Sequence, residues 1–381
     1  MSAQRWVEER LPTQVRHLDV AACGRVSTGV LEAQVAHLRA EADGGYVAHE
    51  AAEPELAKGR EALASMVGLA ATDVAHLESA HEAFWALLAV WPLPPGSRIG
   101  MVTSEYGPNA LVLRALAGER GWTLVPLPVD RRGRVLGVPQ DLDLVTLPQV
   151  ASQRGIAQPV EEVLRSGVPV VLDVAQSLGQ TEVPAGAAAY VGTSRTWLCG
   201  PRGVGFLVVD PSWELRLGTP PTGARYLHSG VRRIETMEAH VAGRLGLGVA
   251  AQEWRPELLP VVRARSARLR AALDDTAWEV REPVEEPTGI TTLTAPEGVD
   301  VVAVRADLLA RGTLTTAVPA HRSADLAGPA LRVSTAAWVS EDDVDEVADA
   351  LVGALPGGGT SSSGGPPSRR TSSSASESSA S

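Results

Sequence analysis

Asp173 ends the apolar run Val168–Val174 and faces the polar turn Thr193-Ser194-Arg195-Thr196, which follows a second apolar stretch around Tyr190–Val191. An acid at a buried strand end, opposite a polar turn from a neighbouring strand, is how an open α/β sheet builds a binding site at its carboxyl edge. Other chemistries lack their residues. The chain has no H-E-x-x-H, no G-x-S-x-G and no Walker loop. His76 and His81 are wrongly spaced to share one helical face, and Cys23 and Cys199 stand in no ligand spacing, so no metal site is expected. Gly246-Leu247-Gly248 with Ala251 weakly imitates a dinucleotide fingerprint, but it lies within a helical pattern and reads as helix packing. Among the basic residues there is a single lysine, Lys58.

The elements that must position these residues alternate. Apolar spacing predicts helices over Val26–Arg39, Glu53–Val67, His81–Trp91, Gly107–Arg120 and Pro159–Arg165, with a turn at Asp43–Val47. Strands are expected at Arg98–Thr103, Trp122–Val129, Leu142–Leu147, Val168–Val174, around Tyr190–Val191 and at Val204–Val209. That alternation implies an α/β fold with a mostly parallel sheet and right-handed crossovers. Beyond Asp210 the pattern changes. Helices are expected over Ile234–Ala251, Pro256–Ala272, Val301–Ala310 and Glu341–Leu351. Short strands are expected at Trp278–Val284, Ile290–Leu293, Leu314–Ala317 and Leu331–Ser334, which together make a small α+β domain. We expect a large domain over residues 15–250, a small one over 251–355 with 1–14, and a disordered Ser/Gly-rich tail over 357–381. A net charge of −11 argues against nucleic acid as a partner. No apolar run suits a signal peptide or a membrane span, and two isolated cysteines suit a reducing cytoplasm.

Seven phrases in order carry a resemblance: LDVAACG (Leu18–Gly24), ESAHEAFW (Glu78–Trp85), SEYGPN (Ser104–Asn109), VASQRGIAQPV (Val150–Val160), VVLDVAQSLG (Val170–Gly179), TSRTWLCGPRGVG (Thr193–Gly205) and LRVS (Leu331–Ser334). The chain resembles class V aminotransferase-type enzymes of fold type I, which use pyridoxal 5'-phosphate (PLP). The resemblance implies a large, seven-stranded-type sheet domain, a small C-terminal domain and a homodimer. It implies that Asp173 pairs with the ring nitrogen of PLP, with Gln176 and Ser152 near the ring hydroxyl. Tyr106 and Ala175 would lie on the two ring faces, and Ala80, His81, Thr193 and Arg195 would hold the phosphate. Arg332 would grip the substrate carboxylate, a task suited to its bidentate fork.

Two departures matter. The family's Gly-Thr pair, which reaches a phosphate across the dimer, is here Glu235-Thr236-Met237-Glu238. More consequential is Thr196, at the position where the family has the lysine that forms the Schiff base. Lys58 is no substitute, because ELAKGREALA places it between Glu55 and Glu61 on one exposed helical face. A threonine supplies neither the covalent link nor the base, so the chain is expected to be inactive or altered, either as a variant of a working enzyme or as a natural homologue. The phrases EADGGYVAHEAA, SEYGPN, SQRGIAQPV and WLCGPRGVG most resemble the hercynylcysteine sulfoxide lyase family of ergothioneine biosynthesis. That resemblance implies β-elimination from a small cysteine S-conjugate, giving ergothioneine, pyruvate and ammonia. The small domain has no cysteine at the desulfurase position, which argues against a persulfide route. Aminotransferase chemistry and a non-catalytic ligand-binding homologue remain the alternatives.

Overall fold

The computed structural model describes residues 2–220, 226 and 228–356. The tail expected over 357–381 lies outside them. Helix α1 (Ala3–Glu8), capped by the Ser2 hydroxyl, leads to a two-residue strand, β1 (Arg16–His17). Helices α2 (Thr28–Gly44) and α3 (Tyr46–Ser65) follow, separated by Gly45 alone. Gly45 sits at φ 58° and ψ −139°, a conformation open to glycine, and so compresses the expected five-residue turn into one residue. As a result α3 starts well before Glu53 and carries Pro54 in its interior.

The large sheet is built from β2 (Val74–Leu77), β3 (Arg98–Met101), β4 (Thr123–Pro126), β5 (Leu144–Pro148), β6 (Val170–Asp173), β7 (Ala189–Thr193) and β8 (Gly205–Val209). Their spatial order is β2-β8-β7-β6-β5-β3-β4. Pairs among β3 to β7 are parallel, whereas β8 runs antiparallel to both β7 and β2. The interleaved helices are α4 (Ala80–Val90), α5 (Gly107–Arg120) and α6 (Val160–Leu164). Alternate residues feed two cores, as the strand period of two requires. Val170 and Leu172 join Leu147, Tyr190 and Phe206 on one face, while Val171 joins Ile99, Leu144 and Leu207 on the other. With both faces covered, these strands read as continuous apolar runs.

After a short helix, α7 (Pro211–Glu214), the expected long helix from Ile234 is instead a 3-10 turn, Gly230–Ile234, followed by α8 (Val241–Glu253). Helix α9 (Leu258–Leu273) then leads into the second sheet. Its elements are β9 (Glu279–Val280), β10 (Ile290–Thr294), α10 (Val301–Ala310), β11 (Thr313–Leu314), β12 (Thr316–Val318), β13 (Ala330–Ser334) and α11 (Glu341–Gly353). The order is β12-β13-β10-β9, all antiparallel, and β1 pairs with β11 at the side. Thr315 splits the expected strand Leu314–Ala317 between two sheets, and the expected strand at Trp278–Val284 shrinks to β9. Leu269 and Leu273 of α9, Val344 and Val347 of α11, and Leu331 and Val333 of β13 share one core.

Candidate active site

Strands β5, β6 and β7 end at a pocket of about 320 Å³, closed from the second sheet by Thr316 and Arg332 and from the N-terminal segment by Ala21 and Ala22. Asp173 is the last residue of β6. Its Oδ1 accepts from the Ala175 amide at 2.8 Å and its Oδ2 from Asn109 Nδ2 at 3.0 Å. Burial pushes its carboxyl up to about 6 against the pull of those two donors and of His81.

Asn109, in the first turn of α5, organises this corner. Its Nδ2 also reaches Glu105 Oε1 at 3.4 Å, and its Oδ1 lies 3.0 Å from His81 Nδ1. An amide oxygen only accepts, so Nδ1 of His81 carries the proton in this arrangement. Glu105 Oε1 takes a second bond from the Tyr106 amide at 2.8 Å, while Oε2 is buried without a partner among the described residues. Burial, and then the charge of Asp173, pushes the Glu105 carboxyl up to about 8. Burial holds both acids up, and Glu105 above Asp173, so as pH rises Asp173 is the first of the pair to ionise.

The start of α4 forms the next wall. Ser79 caps the helix by accepting from the Glu82 amide at 3.0 Å, which leaves the N–H groups of Ala80 and His81 facing the pocket side without helical partners. A Cβ at Gly205 would come within 2.3 Å of the Ser79 carbonyl carbon, so only glycine lets β8 seat this helix start so closely. Across from it, Thr193 ends β7, and Arg195 donates through Nη1 to the Ala22 carbonyl. Together the free amides, the helix dipole and a guanidinium form an anion cradle.

Tyr106, Ser152, Ala175, Gln176 and Arg332 complete the lining. Every site residue expected from the sequence therefore borders this one pocket, although three are more engaged than expected. Gln176 donates from Nε2 to the Ala21 carbonyl at 2.9 Å and accepts from Trp197 Nε1 at 2.9 Å, which leaves one N–H. Ser152 donates to Gln153 Oε1 at 3.2 Å. Arg332 donates through Nη1 to the Ser152 carbonyl at 2.7 Å and through Nη2 to Asp19 Oδ1 at 3.2 Å. Asp19, in turn, accepts from Thr316 Oγ1 at 2.7 Å. Asp19, Glu105, Asn109, Thr316 and Arg322 also shape the site, but sequence reasoning assigned them no role. Asp19, Glu105 and Asn109 lay inside quoted motifs, whereas nothing in the sequence marked Thr316 or Arg322.

Thr196 lies at the pocket floor, 1% exposed, and its hydroxyl donates to the Ala175 carbonyl at 2.7 Å. Lys58 is far from any such role: it lies on α3, more than half exposed, with Nζ 2.6 Å from Glu55. Cys199, just after this turn, holds φ 60°, and burial pushes its thiol up to about 12, so it is not a nucleophile at neutral pH.

The class V aminotransferase family model matches residues 16–235. A protein of Mycobacterium tuberculosis (strain CDC 1551 / Oshkosh), named probable hercynylcysteine sulfoxide lyase, is 39% identical over 92% of this chain and 93% of its own length. The chain belongs to the class V aminotransferase family. Its fold type I architecture recurs in the apo cysteine desulfurase of Thermococcus onnurineus NA1, with a TM-score of 0.82, 18% identity and coverage of 92% of this chain and 98% of that one. It recurs again in a lysine-to-alanine mutant of the C–S lyase C-DES that holds glycine covalently linked to its PLP cofactor. There the TM-score is 0.79, with 18% identity over 89% of this chain and 96% of that one. Against this class V frame, a buried strand-end acid, a helix-start anion cradle and an aromatic wall fit PLP held non-covalently. Thr196 does not fit covalent attachment.

Proposed function

We propose that this site is that of a PLP-dependent C–S lyase acting on hercynylcysteine sulfoxide by β-elimination in ergothioneine biosynthesis. The sulfur half leaves as a sulfenate, which an external thiol reductant must reduce by two electrons to give ergothioneine, and the other half leaves as aminoacrylate, which takes up water to give pyruvate and ammonia. The observation that carries the reading is the convergence on one pocket of Asp173, the α4 start, Arg195, Tyr106 and Arg332. The Mycobacterium tuberculosis relative supports the choice of substrate.

When bound, PLP supplies an electron sink for charge that develops at the substrate α-carbon. Asp173 would accept the ring N–H, a charge-assisted bond. The amides of Ala80 and His81, with Thr193 and Arg195, would hold the phosphate. Tyr106 and Ala175 would enclose the ring faces, and the remaining N–H of Gln176 and the Ser152 hydroxyl would reach the ring oxygen. Arg332, fixed from behind by Asp19 and Ser152, would hold the substrate carboxylate.

The position at which the family has its lysine base offers none in this reading. The Thr196 hydroxyl is committed to the Ala175 carbonyl, and no lysine lines the pocket. Loss of a general base costs ~10²–10⁴ in rate. The chain as it stands is therefore inactive or altered in that step. The same observation favours a second reading, a non-catalytic homologue that binds PLP or an amino acid without turnover. Replacing Thr196→Lys decides between them. The lyase reading expects a visible-absorbing, borohydride-fixable cofactor and pyruvate from cysteine S-conjugates. A restored protein that fixes PLP but yields no pyruvate from any conjugate sinks the lyase reading and leaves the second standing.

The same reading includes a homodimer, a cytoplasmic location and a division between residues 15–250 and residues 251–355 with 1–14. No helix among the described residues is long and apolar enough to cross a membrane.

A further inference from the structure

Three guanidinium groups line the 320 Å³ pocket: Arg195, Arg322 and Arg332. The proposed function uses two of them. Arg195 sits with the α4 start as a phosphate cradle, and Arg332 is paired with Asp19 and assigned to the substrate carboxylate. Arg322 is surplus. Among the described residues its side chain has no ion pair or hydrogen bond; it lies over the Tyr106 ring, with Cζ 5.6 Å from the centroid.

Arg322 is nonetheless held in place. It ends the 3-10 turn Ala320–Arg322, and Ser323 donates to the carbonyls of Thr103 and Glu105 at 3.2 Å each. Two residues further on, Asp325 is gripped by Gln153 at 3.1 Å and by Arg154 at 3.0 Å. A Cβ on Gly107 would lie 2.6 Å from the Arg322 carbonyl oxygen, so this turn rests directly on the start of α5. A cation over an aromatic face, with its backbone pinned on both sides, is an oriented group rather than a loose surface arm.

Its location is also informative. A pocket of about 320 Å³ is at the small end for a ligand site, and a cofactor with an amino acid would fill most of it. Arg322 also borders an adjoining cavity of about 1000 Å³ with apolar walls from Met101, Leu111, Leu124 and Leu326. It therefore stands between the two cavities. The positive charges oppose one another: burial depresses the pKa of Arg332 most, Asp19 offsets this, and Arg322 and Arg195 depress it further. A cluster of this kind gains from a bound anion in proportion to how poorly water screens it.

We infer that Arg322 selects the sulfur-side half of the substrate, favouring cysteine S-conjugates with an anionic oxygen beyond the sulfur. This rests on the C–S lyase reading. Arg322 touches that oxygen and is a specificity residue; it takes no part in proton transfer.

The test uses the full chain saturated with PLP. Two ligands of matched shape are titrated, S-carboxymethylcysteine and its neutral amide S-carbamoylmethylcysteine, following cofactor absorbance and binding heat. We expect the carboxylate to bind at least roughly tenfold more tightly, as a charge-assisted bond warrants. Arg322→Gln should erase that preference with little effect on the amide, Arg322→Lys should keep part of it, and Arg332→Gln should weaken both ligands alike. Equal affinities in the unaltered chain, or a preference that survives Arg322→Gln, overturns the assignment, as does equal weakening of both ligands by Arg322→Gln. A PLP-loaded chain that responds to neither ligand overturns the lyase reading beneath it, which is a different result from lost discrimination.

Discussion

Glu105 keeps a proton that the unfolded chain would have released. Its carboxyl rises from an ordinary 4.5 to about 8, chiefly through burial and then through Asp173. Because the folded state binds more protons than the unfolded one across that interval, stability falls as pH rises from about 4.5 to about 8. The slope from this one group is at most about 1.4 kcal/mol per pH unit. Glu105→Gln keeps an oxygen for the Tyr106 amide and carries no titratable proton. Its midpoint of thermal unfolding should exceed that of the parent at pH 8, and the difference should close towards pH 5. A Tm profile with the parent's slope would show that Glu105 is ionised in the fold. The neutral state matters to the proposed cofactor site because a second charge beside Asp173 would raise the latter's pKa and weaken its hold on a ring N–H.

Among the elements, α3 and α8 meet through two glycines. A Cβ on Gly59 would lie 2.7 Å from the Gly248 Cα, so the two helix backbones touch with nothing between them. Alanine is the better helix former by about 1 kcal/mol, yet Gly59→Ala must push the helices apart and should cost a net ~1–3 kcal/mol in denaturant unfolding. Gly118 of α5 supplies the control, because a Cβ there meets nothing within 4 Å. Gly118→Ala should raise stability by about 0.5–1 kcal/mol. The packing role of Gly248 was legible in the sequence because the glycines fell within a helical pattern and after no strand. Helices α5 and α10 were legible to the residue, α5 through its terminal Gly121 at φ 71°. Strand β2 was not: four residues, all buried, with a histidine among them, show neither alternation nor a long apolar run. The site divides in the same way. Asp173 and Arg332 stand at strand positions that sequence can locate. Asn109 and Asp19 act through side chains brought from other elements, and no local spacing reports that.

Across the whole molecule, the segment after β1 stitches the two sheets together. Asp19 holds Arg332 of β13 and Thr316 of β12, the Ala21 amide donates to Ser334 Oγ, and the Ala21 and Ala22 carbonyls accept from Gln176 and Arg195. Asp19→Ala leaves a buried guanidinium without its carboxylate, so the protein should lose about 3 kcal/mol of stability. The loss should appear in probes of both sheets together. Trp278, buried in the second core, and Trp122, in the first, make fluorescence a suitable check after single-tryptophan replacement. The lone lysine has a practical consequence for the whole chain. Amine-directed reagents, aldehyde fixation and reductive labelling have one side-chain target, Lys58, exposed and ion-paired on α3, besides the terminal amine. A peptide map of the unaltered protein is thus a nearly silent background, on which any adduct at a newly installed amine in the pocket can be assigned to its residue by mass alone.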